Sequence, residues 1–172
     1  LVDCYLTILV NQICRLFSTT HTPDSIITRP KCTLQLEGYR KLNVLFERLG
    51  ASIVVASVDS LDDTKLMAEG KCFPNRGKAM PFTFCHGVTP EISQTVGAFW
   101  YNHAEGKDKY YYMGASKDFM QPAEFVIDCD LKKVILCAYS DGGAGRMDAG
   151  DVVGFLSGIQ DRRDEVPHVW SW

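Results

Sequence analysis

From residue 25 onward, short runs rich in Val and Ile alternate with segments whose apolar residues fall three or four apart, the rhythms of strands and of amphipathic helices. Ser25-Ile26-Ile27-Thr28 is a β-rich run that stops at Pro30, because proline disfavours helical geometry in the residue before it. Leu34, Leu42, Leu45 and Leu49 repeat at helical spacing, and Gly50 stands where a helix C-terminal glycine belongs. Ala51 to Val58 is apolar on both faces, as a buried central strand is. Strand, helix and strand in this order predict a parallel pair joined by a right-handed crossover.

Asp59-Ser60 opens a second helix that runs through Met67 to a stop at Gly70, and Pro81 to Cys85 forms a third strand. Thr89-Pro90-Glu91 is a helix start, with a capping threonine and proline at the first helical position; Ile92, Val96 and Phe99 form its expected buried stripe. Residues 100–120 read as a hairpin or an inserted loop. Ala123 to Asp128 and Lys133 to Tyr139 are strands joined closely enough to pair antiparallel. Asp148 caps a last helix with Val152, Phe155, Leu156 and Ile159 facing inward. Together these elements predict an α/β domain over residues 25–160, a mixed central sheet with helices on both faces in a thioredoxin-like fold, followed by a tail over 161–172. Leu1 to Phe17 is apolar and unpunctuated, so residues 1–24 are expected to form an N-terminal extension packed on that domain. Arg15 to Thr20 also has the basic, hydroxyl-rich look of a presequence end, and the absence of an initiator Met suggests truncation upstream.

Composition narrows the function. The chain has 172 residues, enough for one well-cored domain and too few for two ordinary ones. Its net charge of −3, and basic runs no longer than Arg162-Arg163, argue against nucleic acid as a partner. No apolar stretch approaches the roughly 18 to 20 residues that span a bilayer, so no membrane role is expected. Cys85-His86 has no second ligand pair at zinc spacing, and His21, His103 and His168 are scattered, so no metal or cofactor is expected. Gly142-Gly143 and Gly145 lack the lysine pattern of a phosphate loop. Seven cysteines, an odd number without the spacing of a secreted disulfide scaffold, leave at least one thiol free. Net acidity and the lack of a secretory apolar region point to the cytoplasm, with a mitochondrial or other organellar site as the alternative.

Cys32 is the candidate centre. It falls in the first turn of the helix running to Leu49, where unpaired N–H groups and the helix dipole favour a thiolate. The competing reading is a buried, inert cysteine.

The order of motifs carries a resemblance. Arg29-Pro30-Lys31-Cys32, the helix after it, and the strand ending in Ser57-Val58-Asp59-Ser60 resemble the alkyl hydroperoxide reductase C/thiol-specific antioxidant family of peroxiredoxin-like proteins. PFTFCHGVT (Pro81 to Thr89), VGAFW (Val96 to Trp100), QPAEFVID (Gln121 to Asp128) and YSDGGAGR (Tyr139 to Arg146) follow in the family's order. The resemblance implies reduction of small hydroperoxides through one active cysteine by an external thiol such as thioredoxin or glutathione, in a homo-oligomer or larger assembly. Cys32 matches either the second cysteine of a W-C-P-x-C motif or the peroxidatic cysteine of T-x-x-C, and Arg29 takes the place of the first Cys or Thr. Arg29 then either assists the thiolate as a neighbouring cation or fills the space of a lost function. The resemblance further implies that Pro122, through a cis bond, and Arg146, through its fork of donors, shape the thiol pocket. Cys72 and Cys85 are the candidate resolving thiols; Cys129 and Cys137 read as turn and packing residues, and Cys4 and Cys14 as either. The alternative is a redox-inactive binding or assembly module, with the aromatic segment at 99–112 and the C-terminal tail as contact surfaces.

Overall fold

The structure, a computed structural model, describes residues 5–10, 30–71, 78–102, 118–140 and 145–165. Its elements in chain order are β1 (Tyr5–Val10), α1 (Pro30–Arg48), β2 (Ala51–Ala56), α2 (Leu61–Ala68), β3 (Thr83–Cys85), α3 (Pro90–Thr95), β4 (Trp100–Tyr101), β5 (Phe119–Met120), β6 (Ala123–Asp128), β7 (Lys133–Tyr139) and α4 (Ala149–Glu165). A five-stranded sheet has the order β3-β2-β1-β6-β7. β1 and β3 each lie parallel to β2, whereas β6 pairs antiparallel with both β1 and β7. This is the mixed sheet expected from the sequence.

The turns explain why the elements stop where they do. α1 ends at Gly50, which adopts φ 69°, a left-handed conformation that costs an L side chain and costs glycine little. Ser60 caps α2 by accepting from the Asp63 N–H, and Thr89 caps α3 by accepting from Ile92 N–H, with Pro90 at the first helical position. Gly70 ends α2 at φ 73°; a Cβ there would stand 1.9 Å from the Lys78 carbonyl oxygen, so the chain closes on itself where only glycine fits.

Among the described residues two large apolar clusters, with a small third of Tyr101 and Phe119, form the core. The larger joins Cys32, Leu36, Tyr39 and Phe46 of α1 to Ala51, Ile53 and Val55 of β2, Met67 of α2, Val126 of β6, and Ala149, Val152 and Leu156 of α4. The second gathers Val88, Ala98 and Met120 around Ala123 and Phe125. Successive β6 residues therefore alternate between clusters, as the pleat of a strand requires. Glu124, in phase with Val126, points toward α1.

The structure corrects several expectations. β1 is the central strand of the sheet, so the division at residue 24 separates one strand from the sheet it organises. The parallel partners of β2 are this strand and β3; residues 25–28 lie outside the described residues. In α1 the buried stripe is Cys32, Leu36, Tyr39 and Phe46, supported by Leu42 and Leu49, while Leu34 is 69% exposed and Leu45 also faces out. Leucine spacing alone missed that cysteine and tyrosine carry the core face, and two residues of helix are about 200° of rotation, which turns Leu34 away from Leu36. In α3, Ile92 and Phe99 are 47% and 58% exposed, and the buried residue is Ser93, whose hydroxyl donates to Ala98 O at 2.8 Å. α4 continues to Glu165, so the boundary at 160 cuts through a helix; Asp161 and Arg162 just past that boundary are exposed, and Arg162 Nε donates back to Gly158 O at 2.9 Å. Residues 100–120 open and close with the antiparallel pair β4 and β5, and the connection between them lies outside the described residues.

Candidate active site

Cys32 is the third residue of α1 and is buried, with 1% of its surface exposed. Its sulfur is an acceptor for Arg146, whose Nη1 donates to Sγ at 3.2 Å. Arg146 comes from the other end of the chain, in the short segment that leads into α4. Asp148 fixes this lead-in by accepting from the Gly150 N–H at 2.8 Å through its side chain and from Asp151 N–H at 3.1 Å through its carbonyl. The α1 and α4 starts thus bring the thiol and the guanidinium together, across 114 residues of sequence.

One turn beyond Cys32, Gln35 extends the contact. Arg146 Nη1 also donates to Gln35 Oε1 at 3.1 Å. Gln35 Nε2 donates in turn to Glu124 Oε1 and, more weakly, to Met147 O at 3.4 Å. Tyr39 donates its phenol proton to the second Glu124 oxygen at 3.2 Å. Glu124 is a buried carboxylate on β6; burial pushes its affinity for a proton above the usual carboxylate range, while the Gln35 and Tyr39 hydrogen bonds and the charge of Arg146 oppose that rise. Burial, reinforced by the neighbouring Glu124 carboxylate, raises Tyr39 far above the ordinary phenol value, so it remains a donor at any physiological pH.

Beside this network lies a cleft of about 210 Å³, lined by Leu34, Gln35 and Gly38 of α1 and by Arg146, Met147, Asp148 and Ala149. Gly38 leaves the first turns of α1 close to α4, where an added Cβ would meet Ala149 Cβ at 3.8 Å. Arg146 and Gln35 therefore face both the cleft and the buried part of the network.

The other sequence candidates are distributed differently. Pro122 is buried at the entrance of β6, where its carbonyl accepts from the Ser140 N–H at 3.0 Å and from the Ser140 hydroxyl at 3.2 Å. Its peptide bond is trans, as are all peptide bonds of the described residues, so the expected cis geometry is not adopted. The Ser140 bonds fix the start of β6 without requiring a cis turn. Cys85 ends the edge strand β3, exposed and free. Cys137 is an exposed free thiol on β7 rather than a packed one, and Cys129 is half-buried after β6. Arg29 and Cys72 lie outside the described residues, as do Cys4, Cys14, most of the aromatic segment at 99–112 and residues 166–172. Among the described residues no cluster of metal-ligating side chains occurs, and no helix is long and apolar enough to cross a membrane. Gln35, Tyr39 and Glu124 escaped sequence reasoning: the first two sit on a helix with no motif to mark them. Glu124 lies inside QPAEFVID, where a carboxylate between apolar neighbours was the available signal.

A parallel β1-α1-β2 unit followed by an antiparallel β6-β7 pair and a closing helix is a thioredoxin-like architecture, and Cys32 stands at the start of its first helix. Solved structures place it among the peroxiredoxin folds. A cysteine-to-serine mutant of peroxiredoxin 6 from Arenicola marina matches with a TM-score of 0.63 at 19% identity, over 91% of this chain and 61% of that one. The mitochondrial 2-Cys peroxiredoxin from Plasmodium falciparum matches at 0.62 and 17% identity, covering 97% and 81% of the two chains. Mycobacterium tuberculosis AhpC matches at 0.59 and 17% identity, covering 98% and 74%. The chain thus spans about three-fifths of the length of the Arenicola protein. No family model and no curated protein matches the sequence.

Proposed function

We propose that the chain reduces small hydroperoxides through Cys32, with Arg146 beside the sulfur and an external thiol as reductant. The observation that carries this reading is the 3.2 Å contact from Arg146 Nη1 to Cys32 Sγ. A remote arginine would have favoured the inactive module. The thiolate is the nucleophile in such chemistry, and a guanidinium can stabilise charge on the sulfur and on the peroxide oxygens in turn. The sulfur attacks the distal peroxide oxygen; an S–O bond forms as the O–O bond breaks, and the departing alkoxide or hydroxide takes a proton to leave as alcohol or water. Sulfur is oxidised by two electrons to the sulfenic acid, and the peroxide is reduced by two. One external thiol then condenses with the sulfenic acid to give a mixed disulfide and water, and a second thiol releases Cys32 as the thiol. The cleft beside Arg146 is the approach for the oxidant, and the exposed Leu34 gives it an apolar wall.

The alternative, a redox-inactive module on the same fold, is favoured by the 1% exposure of Cys32. Turnover separates the two. Peroxide consumption is followed with dithiothreitol as reductant for the wild type and for Cys32→Ser. The peroxidase reading expects turnover that is lost in Cys32→Ser; equal rates in the two proteins would establish the inactive module.

A further inference from the structure

We propose that Glu124 is a positioning residue for the Cys32 site: its carboxylate sets the direction of the Gln35 amide, and through that amide it holds the Arg146 guanidinium against the sulfur. The proposal deepens the peroxidase reading and rests on it for its meaning. A carboxylate inside β6, between Ala123 and Phe125 and in phase with Val126, occupies a place that an apolar side chain would fill at no cost in desolvation. Each of its oxygens receives a donor from α1, Gln35 Nε2 on Oε1 and the Tyr39 hydroxyl on Oε2. Gln35 is thereby held at both ends, its N–H toward Glu124 and its oxygen toward Arg146 Nη1. A flipped amide would set oxygen against the carboxylate and N–H against the guanidinium, two repulsions in place of two hydrogen bonds. The same Nη1 that meets Gln35 also reaches Cys32 Sγ. The orientation imposed on β6 is thus passed through α1 to the segment leading into α4.

The groups facing Glu124 are Gln35 and Tyr39 from α1 and Arg146, with the Met147 backbone, from the α4 lead-in; Asp148 and Asp151 act on Tyr39. Acid that protonates Glu124 turns one acceptor oxygen into a hydroxyl and loosens the Gln35 or Tyr39 bond.

The test compares wild type, Glu124→Gln, Gln35→Glu and the double exchange Gln35→Glu/Glu124→Gln, each checked for folding by circular dichroism. The readouts are the rate of Cys32 alkylation by iodoacetamide and the rate of its oxidation by hydrogen peroxide, both across pH. Glu124→Gln lowers both rates by about tenfold, the effect of loosening one hydrogen bond to a charged group, and removes from the acid limb the part that protonation of Glu124 contributes. Gln35→Glu sets two carboxylates against each other and moves that part to higher pH. The double exchange restores a donor–acceptor chain: the new amide at 124 donates to the new carboxylate at 35, which accepts from Arg146. Its rates return to within about threefold of wild type, less than the loss of one such hydrogen bond. Should Glu124→Gln fail to fold, the double exchange carries the comparison. Rates of folded Glu124→Gln equal to wild type, or a double exchange as slow as the worse single variant, would overturn the proposal. Wild-type Cys32 that is alkylated but never oxidised by peroxide would remove the peroxidase reading, while the alkylation rates still decide the role of Glu124.

Discussion

Replacing Arg146 by methionine removes a charged donor that the structure places on the Cys32 sulfur while keeping a side chain of comparable reach. At 3.2 Å and an effective dielectric of about 20, the gross attraction between a thiolate and the guanidinium is about 5 kcal/mol. Much of that is offset by the cost of keeping the half-buried cation partly out of water, and hydrogen bonds to charged groups are worth about 1.5 to 3 kcal/mol net. The lower end suits a side chain still in contact with a cleft, so Cys32 in Arg146→Met should react with iodoacetamide at neutral pH about tenfold more slowly than wild type. The substitution also takes a donor from Gln35 Oε1, so the variant should melt earlier. Arg146→Lys separates the two effects: it keeps the charge but lacks the rigid fork, and its rate should fall between the other two. The measurement is competitive alkylation with peptide-resolved mass spectrometry on folded protein. A folded Arg146→Met whose Cys32 reacts within twofold of wild type would refute the electrostatic role given to Arg146.

Leu36→Ala, at a fully buried position, should cost about 2 to 5 kcal/mol in urea unfolding, whereas Leu34→Ala, 69% exposed, should cost under about 0.5 kcal/mol; equal costs would contradict the α1 face described above. Gly70→Ala combines a left-handed φ with a 1.9 Å approach to Lys78 O and should lose more than about 2 kcal/mol, while Gly87→Ala, at φ 75° with nothing within 4 Å, should lose only the conformational cost of about 1 to 2 kcal/mol. Burial raises Glu124 above its unfolded value, so between the two values the native chain holds a proton that the unfolded chain has released. Stability from this group is therefore full below the ordinary glutamate range of about 4.3 and is lost as pH rises through the raised value. Thermal melts should show that slope in wild type and a flatter one in Glu124→Gln; the same slope in both would remove Glu124 as its source.

Strand and helix identities from residue 30 onward were legible because their punctuation is local. Ser60, Thr89, Gly50 and Gly70 act on their own neighbours, and each does in the structure what its position implied. The central place of β1 was not legible, since pairing with β2 on one side and β6 on the other is decided by partners 46 and more residues away. Faces of helices were misread where the core uses Cys32 and Tyr39 and leaves Leu34 and Ile92 in water. At the site, the pairing of Cys32 with Arg146 came from the order of motifs, and the geometry agrees with it. The cis bond expected at Pro122 rested on the same resemblance and fails, because resemblance carries positions more faithfully than backbone isomers. Glu124, Gln35 and Tyr39 form a contact between two elements, β6 and α1, and nothing in the local sequence of either reports the other.

The central claim is that one thiol, Cys32, is the centre of peroxide chemistry. Its most direct test is to expose the reduced protein to one equivalent of hydrogen peroxide in the presence of a dimedone-type trap and to map the adduct over all seven cysteines. The adduct is predicted at Cys32, formed fast and stoichiometrically, with no equivalent labelling in Cys32→Ser. Adduct spread over the exposed Cys85 and Cys137 with Cys32 unmodified would contradict the claim.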